Sequence, residues 1–421
     1  MRIGWIAGLA ALLLVGSCAR PSGRIVLTVW AMGAEGDAIP RLIPGFEAAN
    51  PGIHVDVEQI PFAEAHQKLL TGFAGDSLPD MAQLGNSWLP EFEALGALAP
   101  LDARVAATPG IDPKDYFPGI WDGSVIAGRL YGVPWYVDTR LLFYRRDILK
   151  RAGFDHPPTN WAEWRRQMVA IKKLVGPGRY AAIFPLNEYE PLEVLGLQQD
   201  EPMVTPDGHG NFESPGFERA LAFYLGTIRS GLAPAIDNTE IANIWDQFDR
   251  GAFSFYITGP WQLGEFARRI PAARQSEWAT APMPGPDGPG ASNAGGSSLV
   301  IFRTSRHQDA AWKLIAYLSS PAMELRFHQL TGDLPPRRST WRAPELADDP
   351  RARAFAAQLE RVKPTPKVPE WEAIATAMRT VTEAAAHNDM SIPQVAAEID
   401  RQADAILAKR RWMLQRQARG Q

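Results

Sequence analysis

Three short segments of this chain set an aromatic ring beside a hydrogen-bonding side chain where an extended run ends. They are Asn86-Ser87-Trp88, Trp135-Tyr136-Val137-Asp138 after Gly132-Val133-Pro134, and Gly259-Pro260-Trp261. An indole or phenol ring offers a flat apolar face and a polar edge, so it can stack on the C–H face of a sugar and hydrogen-bond at its rim. Neighbouring Asp, Asn or Arg groups bond hydroxyls, and charged partners make the stronger bonds. Apolar faces with a few fixed polar groups are the usual lining of a small-molecule pocket. Glu35, Asp138 and Glu188 could also supply a carboxylate pair beside such rings, which leaves a glycoside hydrolase open as an alternative.

Other chemistries have no local motif to stand on. There is no phosphate-cradling Walker loop and no HExxH zinc pattern. Gly85-Asn86-Ser87-Trp88-Leu89 lacks the closing glycine of a nucleophile elbow. Gly176-Pro177-Gly178-Arg179-Tyr180-Ala181 fits a loose dinucleotide pattern but follows a helical run instead of a strand. The seven histidines are scattered with none at i, i+4 spacing, so neither a metal nor another cofactor is expected, and no catalytic residue is assigned.

The elements that must position these residues read as a wound α/β arrangement. A β-branched run at 24–30 precedes a helical stretch with Leu42, Ile43 and Phe46 on one side, stopped by Asn50-Pro51-Gly52. Ile53, Val55 and Val57 alternate with polar residues as a second strand. Phe62, His66, Leu69 and Phe73 then recur at helical spacing before a short strand at 81–84. Strand, helix, strand, helix, strand is the pattern of an open α/β sheet, whose ligands lie beyond the carboxyl ends of the strands. Further helices are expected through Trp161, Trp164, Met168 and Ile171, and through Phe217 to Ile228 between Ser214-Pro215 and Gly231. Strands are expected at 180–184, 253–257 and 298–302, and a capping box from Ser305 to Gln308 should open another helix. Residues 373–409 read as mostly helical. Trp161, Trp164 and Trp245 read as packing, and Asp80 as a turn or sheet-end residue.

The one cysteine, Cys18, lies directly behind an apolar run at 3–15 that follows Arg2. That run is too short to cross a bilayer, which takes about 20 residues. A charged start, an apolar middle and the exit Val15-Gly16-Ser17-Cys18 make an export signal, with 19–23 as a tether. The ending resembles the lipobox of bacterial lipoproteins, which implies lipid on Cys18 and an extracytoplasmic protein anchored to a bacterial membrane. The rest of the chain then has no thiol and no possible disulfide. Its length and 46% apolar content suit two lobes with their own cores. A net charge of −4 gives no sign of a nucleic-acid partner.

The chain resembles the maltose- and trehalose-type solute-binding proteins of bacterial ATP-driven (ABC) importers. The resemblance rests on Phe46-Glu47-Ala48-Ala49-Asn50-Pro51-Gly52-Ile53, Leu78-Pro79-Asp80-Met81, the run from Tyr131 through Arg140, Phe143-Tyr144-Arg145-Arg146-Asp147, Thr258-Gly259-Pro260-Trp261, Gly295-Gly296-Ser297 and Ala311-Trp312-Lys313-Leu314-Ile315. It implies two α/β lobes joined by hinge crossings around a ligand cleft, a fold that closes by hinge bending. By this resemblance the chain crosses near 135–139, returns near 297–302 and crosses again near 334–338. Residues 24–134 with 300–330 then form the N-terminal lobe, and 139–298 with 335–421 the C-terminal lobe. The resemblance implies a monomer that binds a di- or oligosaccharide without chemical change and delivers it to membrane permease subunits. Its implied contacts are Glu35 (in the loop after the first strand), Asn86, Trp135, Tyr136, Asp138, Trp261 and Gly296, with Glu188, Arg337 and Trp371 as further candidates. Asn86 stands where relatives carry aspartate, which alters the donor and acceptor pattern offered to hydroxyls. A glycerol phosphodiester or a polyamine is the alternative cargo on the same fold.

Overall fold

The structure is a computed structural model that describes residues 23–418. Cys18 and its lipobox therefore lie outside the described residues.

Two sheets organise the chain. The first runs in the order Ile53–Ile60, Ile25–Met32, Met81–Gly85, Gly295–Ile301, Val133–Asp138. Its first three strands are parallel, as the alternation of strands and helices requires, and Gly295–Ile301 runs antiparallel to both its neighbours, Met81–Gly85 and Val133–Asp138. Helix Ile43–Ala49 puts Ile43 and Phe46 inward and ends at Asn50, whose side-chain amide donates to the Phe46 carbonyl at 3.0 Å. The second sheet runs Trp278–Ala281, Leu141–Arg145, Phe255–Thr258, Ala182–Ile183. Helices Trp161–Val175 and Pro215–Arg229 cover it, each opened by a side-chain cap, from Asn160 and Ser214 respectively. The long helices Trp371–His387 and Ile392–Ala418 complete this lobe.

The first sheet has an apolar cluster on each face, the second sheet has its own, and a fourth cluster joins the two, packing Phe117, Ile120 and Val137 with Leu141, Phe143, Trp341 and Phe355. Backbone passes between the sheets at Thr139-Arg140, and again across 282–294. The returning strand already pairs Gly295 with Asp138 and Gly296 with Val137. This corrects the expected return at 297–302: the Pro- and Gly-rich loop is itself the crossing, and 295–298 belong to the first sheet, outside the expected C-terminal lobe. A third passage lies beside the first, where the Val137 N–H donates to the Leu334 carbonyl at 2.9 Å.

Two local expectations also differ. Ser305 does not cap the helix Gln308–Leu318; its hydroxyl donates to Asp80 at 2.6 Å and accepts from the His307 N–H. The Asp80 carboxylate draws the hydroxyl as a donor, and the Ser305 oxygen accepts from His307 ahead of the helix instead of from the first helical turn. Burial opposes the Asp80 charge, yet hydrogen bonds from Ser305, Thr28 and His307 prevail and hold its carboxyl below the ordinary value. Glu35 sits in a short helix, Gly33–Ala38, directly after the first strand, instead of in a loop.

Candidate ligand-binding cleft

Tyr136 and Asp138 reach the cleft because of a bulge. Along the Val133–Asp138 strand, Ser297 pairs with Tyr136 but Ser298 pairs with Pro134, so Trp135 is the extra residue. The bulge turns Trp135 into the N-terminal lobe, where its ring lies 4.2 Å from that of Phe327 and is fully buried. Tyr136 instead lines a cavity of about 310 Å³ between the lobes, together with Asp138, Arg140, Gly296, Trp88, Glu190, Glu193 and Glu372. Gly296 is required there: its φ is +111°, and a Cβ would collide with the Tyr136 carbonyl oxygen.

Arg140, on the first crossing, organises the polar wall. Its guanidinium donates to Asp138 Oδ1 at 3.0 Å and to Glu190 Oε1 at 2.7 Å. It also stacks 4.5 Å over the Trp261 ring. Its backbone is pinned by the return crossing, since its N–H donates to Asn293 and its carbonyl accepts from Ser292. Burial opposes the charge on Arg140, but Asp138, Glu190 and Glu188 outweigh it and hold the guanidinium protonated. Burial raises the Asp138 carboxyl above its ordinary value, with Arg140 pulling it back. Trp261, at the start of helix Trp261–Arg269, keeps 38% of its surface exposed, enough to leave a ring surface for a ligand.

The Tyr136 hydroxyl accepts from Ser297 Oγ at 3.0 Å and Gln83 Nε2 at 3.2 Å, and it hydrogen-bonds the Glu35 carboxyl. Glu35 in turn meets Asp333 in an acid pair. Burial comes first, and the Glu35 charge second, in pushing Asp333 up to about 8. The folded state thus holds a proton that the unfolded chain releases near pH 4. The stability tied to that proton is complete below about pH 4 and drains away as pH rises to about 8. Asp333→Asn should therefore raise the melting temperature more at pH 8 than at pH 5, as followed by circular dichroism; parallel shifts at both pH values would refute the shared proton.

Of the expected contacts, Tyr136, Asp138 and Gly296 share one cavity. Trp261 and Glu188 join it through Arg140, and Glu35 through Tyr136. Glu188 is held by Asn238, which donates to its Oε1 at 2.8 Å. Four others serve elsewhere. Trp135 is core, as described. Asn86 lies behind the cavity wall, accepting from Ser298 Oγ at 2.8 Å and donating to the Gly295 carbonyl. Arg337 is buried and used up, bonded to Asp115 at 2.8 Å and to the Ser319 and Gly110 carbonyls. Trp371 is fully buried in the C-terminal core. Conversely, Arg140, Glu190, Glu193 and Glu372 also line the cavity, and Asp333 lies behind it on Glu35, although the sequence did not single them out. Glu190 and Glu193 stand at i, i+3 in the first turn of helix Glu190–Leu197, a spacing that puts them on one helix face and was the available signal.

Among the described residues, no group of three or more His, Cys, Asp or Glu is placed to hold a metal ion. No described helix is long and apolar enough to cross a membrane.

Two α/β lobes, repeated backbone crossings and a polar cleft between them define a two-lobed binding protein. The chain belongs to the family of bacterial extracellular solute-binding proteins, whose pattern matches residues 31–324. It is similar to the sugar-binding protein MalE of the phytopathogen Xanthomonas citri, at 52% identity and a TM-score of 0.90, over 93% of this chain and 99% of that one. It is also similar to a putative binding protein of Brucella abortus, 27% identical over 97% of this chain and 98% of the relative. The diacetylchitobiose-binding protein DasA of Streptomyces coelicolor is 25% identical over 83% of this chain and 81% of its own. These relatives are binding proteins by name, not enzymes.

Proposed function

We propose that the protein captures a di- or oligosaccharide in the interlobe cleft and passes it, chemically unchanged, to the membrane permease of an ABC importer. The observation that carries this reading is the convergence of Tyr136, Asp138, Arg140 and Gly296 on one cavity, with the exposed Trp261 ring against Arg140. Trp261 supplies a stacking face; Asp138, Glu35 and Glu188 accept from hydroxyls; the Gly296 backbone lets the sugar approach closely. Buried acceptors of this kind reject analogues that lack the matching hydroxyl. The fragment similarity and the 52% identity to a sugar-binding protein support the same reading.

A phosphodiester cargo fits poorly. Among the described residues lining the cavity Arg140 is the only cation, and it is already bonded to two carboxylates. Hydrolysis has no support in a site where Asp138 is held by Arg140 and the relatives are binding proteins. The residues before 23 support export, with Cys18 as the lipid-bearing residue of a protein anchored on the outer side of a bacterial membrane.

A thermal-shift screen against mono-, di- and trisaccharides and glycerophosphocholine tests the assignment. A cognate sugar at 100 times its Kd should add about 2.7 kcal/mol of stability. A shift with glycerophosphocholine alone would replace the saccharide reading.

A further inference from the structure

One wall of the cleft leaves two carboxyls without full hydrogen-bond partners. Glu193, on helix Glu190–Leu197, lines the cavity and is fully buried, yet neither carboxylate oxygen hydrogen-bonds a protein group. The Trp371 indole N–H faces this carboxyl, and it too lacks a completed bond. Glu372, at the start of the facing helix, also lines the cavity and leaves its Oε1 buried without a partner. Glu190 and Asp138 line the same space but are bonded to Arg140. Four carboxyls thus line the cavity with one guanidinium, and Arg140 bonds only Asp138 and Glu190.

An unpartnered buried acceptor is costly, and natural structures rarely keep one without a use for it. A sugar hydroxyl can fill a lone pair but cannot offset charge. An ammonium group does both, with three donors and a positive charge. We infer that the Glu193–Glu372 wall is a subsite for a protonated amine, so that the preferred ligand is an amino sugar with a free amino group. This rests on the saccharide reading above and narrows it.

The subsite has a proton signature. Burial first, then Glu190 and Glu372, raise the Glu193 carboxyl well above the ordinary range and favour its protonated form, and Arg140 and Trp371 offset this only in part. Glu372 is raised mainly by burial, with Glu190 and Glu91 adding to it and Ser87 and His66 opposing. Tyr189, packed on the same wall, stays protonated for the same reason of burial. An arriving ammonium favours ionised Glu193, whose proton leaves to solvent. A neutral sugar causes no such release.

Titration calorimetry of the mature chain at pH 7, in two buffers of different ionisation heat, reads both affinity and protons released. The probes are the β-1,4-linked glucosamine disaccharide against cellobiose, and 6-amino-6-deoxytrehalose against trehalose. In at least one pair the amine should bind about tenfold tighter, the scale of one charge-assisted hydrogen bond, and release protons. Glu193→Gln and, separately, Glu372→Gln should each erode that preference for the amine over its neutral partner, and Glu193→Gln should also abolish the proton release. Neutral sugars that bind as well as the amines, or better, would overturn the amine subsite and leave the saccharide reading standing. No binding by either member of both pairs, with no hit in the saccharide screen, would overturn the two together.

Discussion

Arg140→Met should both destabilise the protein and abolish ligand capture. The guanidinium is buried and hydrogen-bonded to Asp138 and Glu190, with Glu188 in its field. Removing one member of a buried ion pair leaves the other charges without compensation and costs about 3–5 kcal/mol. Methionine keeps most of the apolar volume, so the loss reports charge and not cavity. Without Arg140 the three carboxyls would bind protons more tightly in the folded state, so part of the lost stability should return as pH falls from 7 to 5. Urea midpoints at the two pH values check this, and a loss identical at both would contradict the electrostatic origin. Arg140→Lys should recover part of the stability but little of the binding, because an ammonium cannot fork to two carboxylates and stack on an indole at once.

Trp261→Ala should separate binding from stability. More than a third of the residue's surface is exposed, and the Arg140 guanidinium lies over its ring. Truncating an exposed ring changes folding stability by about 0.5 kcal/mol. Removing a stacking tryptophan from a binding site costs about 2 kcal/mol or more, roughly a thirtyfold loss of affinity. Calorimetry and a melting curve on the same sample measure both. Trp261→Phe should restore much of the affinity. Wild-type affinity in Trp261→Ala would remove the ring from the site, and a large fall in melting temperature would make it a packing residue.

The lobes were legible from sequence where periodicity and caps agreed. Helix Pro215–Arg229 lies where Ser214-Pro215 and Gly231 bracket an apolar stripe, and the parallel strands follow the alternation of Ile53, Val55 and Val57. The site was legible only in part. Trp135 and Tyr136 are indistinguishable neighbours in sequence; a bulge, set by pairing with a strand 160 residues on, decides which one enters the cleft. Ser305 carried a capping signature, yet Asp80, more than 200 residues away in sequence, took its hydroxyl. Arg337 looked like a free donor until the fold brought Asp115 and two carbonyls to it. Glu193 and Glu372 carry no local signal that they face a common cavity, because only the packing of the Trp371–His387 helix on the C-terminal lobe brings them there. Local rules placed elements; long-range packing chose the side chains.

The most direct test is a crystal structure of the protein with the saccharide that stabilises it most. It should show an intact sugar between the lobes, one ring against Trp261 and hydroxyls on Asp138 and the Gly296 backbone. A cleaved sugar, or one bound on the outer face of either lobe with Trp261 and Asp138 untouched, would contradict the account.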